Sequence, residues 1–352
     1  MGDISRVERL LSRFGSIKGV GRSFGVLKLR VDGLDLDISM PRVEYKVGDG
    51  HRGFRVELDR ELSFRGASIR RDFTMNAIGF SLKENRFLDP HGGVDDIERG
   101  ILRHVDSMRF REDSLRVYRA VQFVARFNLS VSDDTLELLR SMVDSGSLDE
   151  LPRERVYGEF KKLFLKSHRP SIGIELMREI GVIDRYFPEL KNIQLHKLDQ
   201  VSKYGDLRFI FATIGIYNPT VIDIFIQKLT MERRLRADVK NFVDAILKFR
   251  DGFRAKDVRE LSTRVRVDEF LTLYRALNGS KGARYIKSVA KGSKAFKTAL
   301  KPIISGKELI SLGFRPSREF STILREIYEA QIEGSVRDMD GALKFLQKRG
   351  II

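Results

Sequence analysis

The stretch Arg70-Arg-Asp-Phe-Thr-Met-Asn-Ala77 stands where two kinds of sequence meet. On its N-terminal side the pattern is mixed. Residues 4–14 carry Ile4, Val7, Leu10 and Leu11 at helical spacing, which predicts a short helix. Residues 24–31 and 34–38 alternate apolar and polar side chains around Asp32-Gly33, the signature of a β-hairpin. Residues 41–59 are polar and include Gly48, Gly50 and Gly53, so a mobile loop is expected there. A further strand is expected over 76–82, with a turn at 83–85. Beyond residue 95 the spacing becomes helical almost throughout. Residues 112–127 place Leu115, Tyr118, Ala120, Val121, Val124 and Phe127 on a helical face, and 156–165, 172–179, 221–229, 317–331 and 339–348 continue in that style. These patterns predict an α+β fold, a small sheet-bearing piece followed by a long all-helical extension.

Composition bounds the function. With 352 residues, 42% hydrophobic and 32% charged, the chain suits a globular protein of two or three domains. No apolar run approaches the ~20 residues that span a bilayer, which excludes an integral membrane protein. Residues 1–15 carry charges throughout and lack the apolar core of a signal peptide. The absence of cysteine excludes disulfides and thiolate chemistry and fits a cytoplasmic setting. The five histidines form neither an HxxxH pattern nor a His-Asp dipeptide, which leaves a histidine metal site or triad without support.

The charge is more telling. A net charge of +16 predicts a polyanionic partner, and the excess is concentrated. Residues 231–301 hold 19 Lys and Arg against 8 Asp and Glu, and from 271 to 301 there are eight basic residues and no acid. Among these eight are Lys281, Arg284, Lys287, Lys291, Lys294 and Lys297, a patch suited to a phosphate backbone and hence to RNA binding.

Three other groupings offer chemistry. Asp35 and Asp37 sit two apart on the expected strand, so both carboxylates point to one face and can hold Mg²⁺ for phosphoryl transfer. The same spacing equally describes the solvent face of a hairpin whose Leu34, Leu36 and Ile38 point inward. In the stretch 70–77, Arg70 and Arg71 can grip a triphosphate while Asp72 or Asn76 bonds sugar hydroxyls; a surface ion pair is the plainer alternative. In Glu112-Asp-Ser-Leu-Arg116, Asp113 and Arg116 lie three apart on one helical face. An acceptor beside a donor fork can read a base edge, although an acidic first turn with an i,i+3 ion pair has the same spelling. Asp89-Pro-His-Gly-Gly-Val-Asp-Asp96 is expected to be a connector with a helix N-cap, and the charges of 153–162 to be a solvated helix face.

Taken in order, these blocks resemble the class II tRNA nucleotidyltransferase and bacterial poly(A) polymerase family. The resemblance is carried by 70–77, by Asp89-Pro-His-Gly-Gly93, by Glu112-Asp-Ser-Leu-Arg-Val-Tyr-Arg-Ala-Val-Gln-Phe-Val-Ala-Arg126 and by Arg153-Glu-Arg-Val-Tyr-Gly-Glu159. It covers most of 19–191 and returns from residue 301 to the end. It implies a nucleotidyltransferase head over 1–95, a nucleotide-binding helical neck over 96–166, a helical body over 167–250 and a basic, tRNA-binding helical tail over 251–352. It further implies addition of CCA to a tRNA 3′ end from CTP and ATP with Mg²⁺. Asp35 and Asp37 would act as catalytic and metal-binding carboxylates. Arg70, Arg71, Asp72, Asn76, Asp113, Arg116 and Arg119 would be the nucleotide-binding set, with Asp113 and Arg116 as a protein template for the base. The long segment 42–68 favours an enzyme able to switch from cytidine to adenosine.

Two departures from the family pattern carry expectations of their own. The glycine-rich Gly-Gly…Arg-Asp segment and its Asp-x-Asp pair, expected upstream of Gly19, are not found, so the head is expected to be N-terminally truncated. An internal start, a split gene whose partner chain supplies that segment, or a decayed paralogue would each account for the gap. The alternative functions are a catalytically silent tRNA-binding subunit and a poly(A) polymerase. Residues 192–248 contain His196 as their only histidine, which predicts no phosphohydrolase activity.

Overall fold

The computed structural model describes residues 4–18, 26–40, 42–46, 54–59, 61–250, 252–315 and 318–352. The fold is α+β, and the chain divides into two compact units: Met1–Leu163 with Ile172–Arg185, and Phe164–Ser171 with Tyr186–Ile352.

The first unit holds all the described strands. Helix α1 (Ile4–Leu11) leads to an antiparallel sheet of β1 (Ser16–Lys18), β2 (Val26–Val31) and β3 (Leu34–Ser39), in that order. Asp32 and Gly33 both take positive φ, 50° and 79°, the geometry of the tight turn that joins twisted strands. Leu27 and Leu29 of β2 are buried. Their cross-strand neighbours on β3 are Ile38 and Leu36. The expectation that Leu34, Leu36 and Ile38 all point into a core is corrected: Leu34 is 62% exposed and Leu36 44%. The reason is that β3 is the outermost strand, paired on one side only among the described residues.

The expected loop over 41–59 is also corrected. It contains a second antiparallel hairpin, β4 (Arg42–Lys46) with β5 (Phe54–Leu58), while 41 and 47–53 lie outside the described residues. After α2 (Phe64–Ser68), Thr74–Asn76 form one 3₁₀ turn, so the strand expected over 76–82 shrinks to β6 (Gly79–Ser81), paired with β7 (Arg86–Leu88). Next come α3 (Gly93–Glu98), β8 (Ile101–Leu102), α4 (Ser107–Arg111), α5 (Leu115–Phe127), β9 (Ser130–Val131) parallel to β8, α6 (Asp133–Asp144), α7 (Arg153–Lys166), α8 (Pro170–Glu179) and α9 (Val182–Tyr186). Asp89 caps α3 as expected, accepting from the N–H of Gly93 at 2.7 Å and of Val94 at 2.9 Å. Gly93 is required by packing, since a Cβ there would lie 2.3 Å from the Thr74 carbonyl oxygen. The core centres on Phe73, fully buried and met edge-on by Phe110 at 5.5 Å and Phe123 at 5.7 Å.

The second unit is helical: α10 (Leu195–Ser202), α11 (Leu207–Tyr217), α12 (Ile222–Leu229), α13 (Arg233–Lys248), α14 (Ala255–Arg264), α15 (Val267–Asn278) and α16 (Ala283–Gly292), then α17 (Gly306–Ser311), α18 (Arg318–Glu333) and α19 (Met339–Lys348). Helix α11 is buried on every side from Phe209 to Ile216, which a run without polar periodicity allows. Edge-to-face rings fix it, Phe209 against Phe242 at 5.3 Å and Phe211 against Phe225 at 5.5 Å. The last three helices close a cluster of their own around Leu309, Ile327, Ala342 and Leu346.

Candidate functional site

The β2–β3 register sets Lys28 opposite Asp37 and Arg30 opposite Asp35, and alternation puts all four on one exposed face. Arg30 donates from Nε and one terminal nitrogen to the two Asp35 oxygens, at 2.7 and 2.8 Å, and Asp35 in turn raises the pKa of that guanidinium. Lys28 Nζ stands 3.8 Å from Asp37. No group of three or more acidic or histidine side chains gathers in metal-binding geometry among the described residues. Mg²⁺ is commonly held by one or two carboxylates together with substrate phosphates. By that standard Asp37 fits the ion, whereas the Asp35 oxygens are already gripped by a bidentate cation.

The stretch 70–76 folds around the carboxylate of Asp72, which is 6% exposed. One of its oxygens accepts from the Phe73 N–H and from Asn76 Nδ2, both at 3.0 Å; the other accepts from Arg119 Nε at 2.6 Å. Asp72, Asn76 and Arg119 are thus brought together, but mainly to serve one another. Their bonds lock the 3₁₀ turn onto α5. Thr74 adds a second tie, donating to Asp96 at 2.8 Å, and Asp96 also accepts from Arg103. Arg71 is exposed, and Arg70 is half-buried with its carbonyl turned to α5.

Asp113 and Arg116 are close in space but differ from the expected side-by-side pair on one helical face. Helix α5 begins at Leu115, so Asp113 precedes it. Arg116 donates to the carbonyls of Arg109 at 2.8 Å and Arg70 at 2.6 Å, with its guanidinium 5.6 Å from the Phe110 ring. Burial lowers its pKa, against the opposing pull of Asp72, Asp113 and Glu112. Asp113 receives Arg155 at 3.1 Å, and Glu112 receives Arg109 at 2.9 Å. Arg155 is the partner of Asp113 that sequence reasoning misses. It lies within 153–162, where its charge has the spelling of a solvated face, and nothing in one-dimensional spacing links positions 113 and 155. Chemically, Arg116 retains further N–H donors and Asp113 further lone pairs, so the pair can still meet a base edge while anchored from behind.

The six basic residues Lys281, Arg284, Lys287, Lys291, Lys294 and Lys297 are all exposed. Elsewhere in the same unit cations are paired, as in Arg236–Asp223 at 2.7 Å and Lys248–Glu260 at 2.9 Å. None of the six meets a carboxylate among the described residues. No described helix is long and apolar enough to cross a membrane.

Comparison with known proteins matches two segments of the chain in order. Residues 4–103 match the poly(A) polymerase head domain, and 128–194 match a segment described as the probable RNA- and SrmB-binding site of polymerase A. The first of these segments contains Asp72 and its hydrogen-bond partner Asn76. These two segments are similar to the head and RNA-binding parts of the poly(A) polymerase family. The chain is 40% identical over 155 residues to the Multifunctional CCA protein of Nitrosococcus oceani, covering 44% of this chain and 37% of that one. It is 40% identical over 169 residues to that of Methylobacillus flagellatus, covering 48% and 40%. The matches therefore span about two fifths of the length of these curated relatives. The fold is also that of the Bacillus stearothermophilus CCA-adding enzyme solved with CTP, with a TM-score of 0.74 at 19% identity over 97% of this chain and 87% of that one. A Thermotoga maritima CCA-adding enzyme complexed with tRNA aligns with a TM-score of 0.66 at 20% identity, over 99% and 85%.

Proposed function

We propose that this chain is a nucleotidyltransferase that adds CCA to the 3′ end of tRNA from CTP and ATP. The observation that carries the reading is the ordered match of head and RNA-binding segment together with 40% identity to proteins named for CCA. The names of the solved enzymes with CTP, ATP and tRNA support the choice of substrates. The four-part division at 1–95, 96–166, 167–250 and 251–352 belongs to this proposal.

In the reaction, the terminal 3′-hydroxyl oxygen attacks the α-phosphorus of the bound triphosphate in line. The P–O bond to the β-phosphate breaks, pyrophosphate leaves, and the hydroxyl proton passes to solvent or a nearby carboxylate. Arg71, which is exposed, would grip triphosphate oxygens together with Arg70. The Asp72–Arg119–Asn76 hub would fix the backbone next to Arg71. Asp113 and Arg116 present acceptor and donor to the base, held by Arg155 and by two carbonyls. Mg²⁺, which Asp37 would hold with the triphosphate, supplies neutralisation of charge on the phosphate oxygens.

The test is incorporation of labelled CTP and ATP into tRNA lacking its 3′ end. Addition that stops after C-C-A supports the proposal. Addition of many adenosines to assorted RNA identifies a poly(A) polymerase, and binding without addition identifies a silent tRNA-holding chain.

A further inference from the structure

The basic patch contains an aromatic surface as well as charge. Tyr285, on α16, is 48% exposed, with Arg284, Lys287 and Ser288 exposed around it. An exposed tyrosine is ordinary when it stands alone, but this ring is backed. Its centroid lies 5.9 Å from that of Phe253, tilted by 39°. Phe253 in turn stacks on the buried Phe249 at 4.9 Å and 24°, and meets Tyr274 edge-on at 6.5 Å. Three rings therefore run as a step from core to surface.

The backbone makes room for that step. Gly282, at φ 76°, precedes α16, and a Cβ there would stand 2.7 Å from the tip of the Phe253 ring. A side chain at 282 would push Phe253 away from its place behind Tyr285. The surrounding cations are similarly arranged. The ammonium nitrogens of Lys287 and Lys291 each lie 6.0 Å from the centroid of Phe296, and both residues remain exposed. Lys281, Arg284, Lys287 and Lys291 have no carboxylate partner among the described residues, so their charge is available to phosphate.

We infer that Tyr285, backed by Phe253 and flanked by Lys281, Arg284 and Lys287, is a stacking site for one unpaired base of a folded RNA. The inference rests on the proposed RNA substrate and adds how the patch grips it. Phosphates alone would need only the lysines. A rigid, half-exposed ring amid unpaired cations is the arrangement by which proteins hold a splayed base, with the ring taking the base face and the cations taking the adjacent phosphates. Double-helical RNA, whose bases stay stacked, would not use the ring.

The chain has no tryptophan, so Tyr285→Trp introduces a single indole at the site. Its emission is expected to be quenched on titration with tRNA lacking CCA, and to stay unchanged with heparin, which offers negative charge without bases. Tyr285→Ala is expected to weaken tRNA binding about tenfold, and Tyr285→Phe to hold it within about twofold. Both should leave the salt dependence of binding unchanged, because neither removes a charge. Equal quenching by heparin would overturn the stacking site. So would tRNA binding with no quench and no loss in Tyr285→Ala, while leaving the proposed function in place. Failure of the unaltered chain to bind tRNA at low salt would instead overturn the proposed function itself.

Discussion

Arg155 changes how the proposed nucleotide site is understood at the scale of single residues. It holds Asp113 from a helix forty-two positions away, with both side chains about a third exposed. Arg155→Ala should therefore cost less than ~1 kcal/mol of stability, as expected for a partly solvated pair. It should nevertheless lower the preference for CTP over UTP about tenfold, because Asp113 loses its orientation toward the base. The ratio of kcat/KM for the two nucleotides measures this; an unchanged ratio would remove Asp113 from base reading. Arg116→Ala is a poorer probe, since it also strands two backbone carbonyls at a cost of about 1–3 kcal/mol.

His104 gives the second prediction at this scale. It is buried between Thr135, at 2.8 Å from Nδ1, and Ser107, at 2.7 Å from Nε2, and burial lowers its pKa from 6.5. The folded state therefore favours the neutral ring more than the unfolded chain does. The stability this confers is complete above the unfolded pKa and declines as pH falls through 6.5 toward the lowered folded value. Thermal melting between pH 7.5 and 5.5 should show a falling midpoint, and His104→Gln should flatten that slope. An equal slope in the variant would assign the acid sensitivity to other groups. None of these partnerships is legible in the sequence: residue types in 70–77 and 112–116 point to a site, but hydrogen bonds spanning 47 and 42 positions are products of folding.

Elements are legible in proportion to how purely they show one period. The β2–β3 hairpin alternates cleanly around Asp32-Gly33, and α5 buries Leu115, Tyr118, Ala120, Val121 and Val124 of the face its spacing marks. Phe127 is the exception, 46% exposed, while Val117, Gln122, Phe123 and Ala125 are buried as well because α5 packs on more than one side. The β4–β5 hairpin cannot be read from the chain, because Gly48, Gly50, Gly53 and dense charge mask a pairing made by backbone groups. Helix α11 escapes for the opposite reason: apolar on every side, it has no period to detect. The turn at Gly92-Gly93 has the spelling of a connector, and the structure adds its packing reason. Gly93→Ala should destabilise by about 1–3 kcal/mol, because the new Cβ meets backbone rather than a mobile side-chain end. Gly158→Ala, within α7 and with nothing within 4 Å, should instead stabilise by about 0.5–1 kcal/mol. Denaturant midpoints of the two variants should move in opposite directions, and a shared direction would contradict the close approach to Thr74.

Across the whole molecule, charge is distributed by use. Acids and bases of the helical unit neutralise one another in pairs such as Arg208–Glu269 and Lys228–Glu189, yet from Lys281 to Lys297 the cations meet no carboxylate among the described residues. Excess charge of one sign costs stability through self-repulsion, so an uncompensated face is better explained by a partner that supplies the counter-charge. That much is legible in the sequence, since the run from 271 to 301 contains no acid; the exposure of every one of the six side chains is not. The consequence is a specific salt law. Each phosphate that a cation neutralises adds about 0.7–0.9 to the steepness of log K against log salt. Changing Lys287, Lys291 and Lys294 together to Gln should therefore flatten the slope for tRNA by about 2, and should weaken binding most at low salt. The same triple change on the paired cations Arg208, Arg236 and Lys248 should move the melting temperature more than the slope. If the two triples alter the slope equally, binding follows net charge alone, and the face between 281 and 297 has no privileged role in holding RNA.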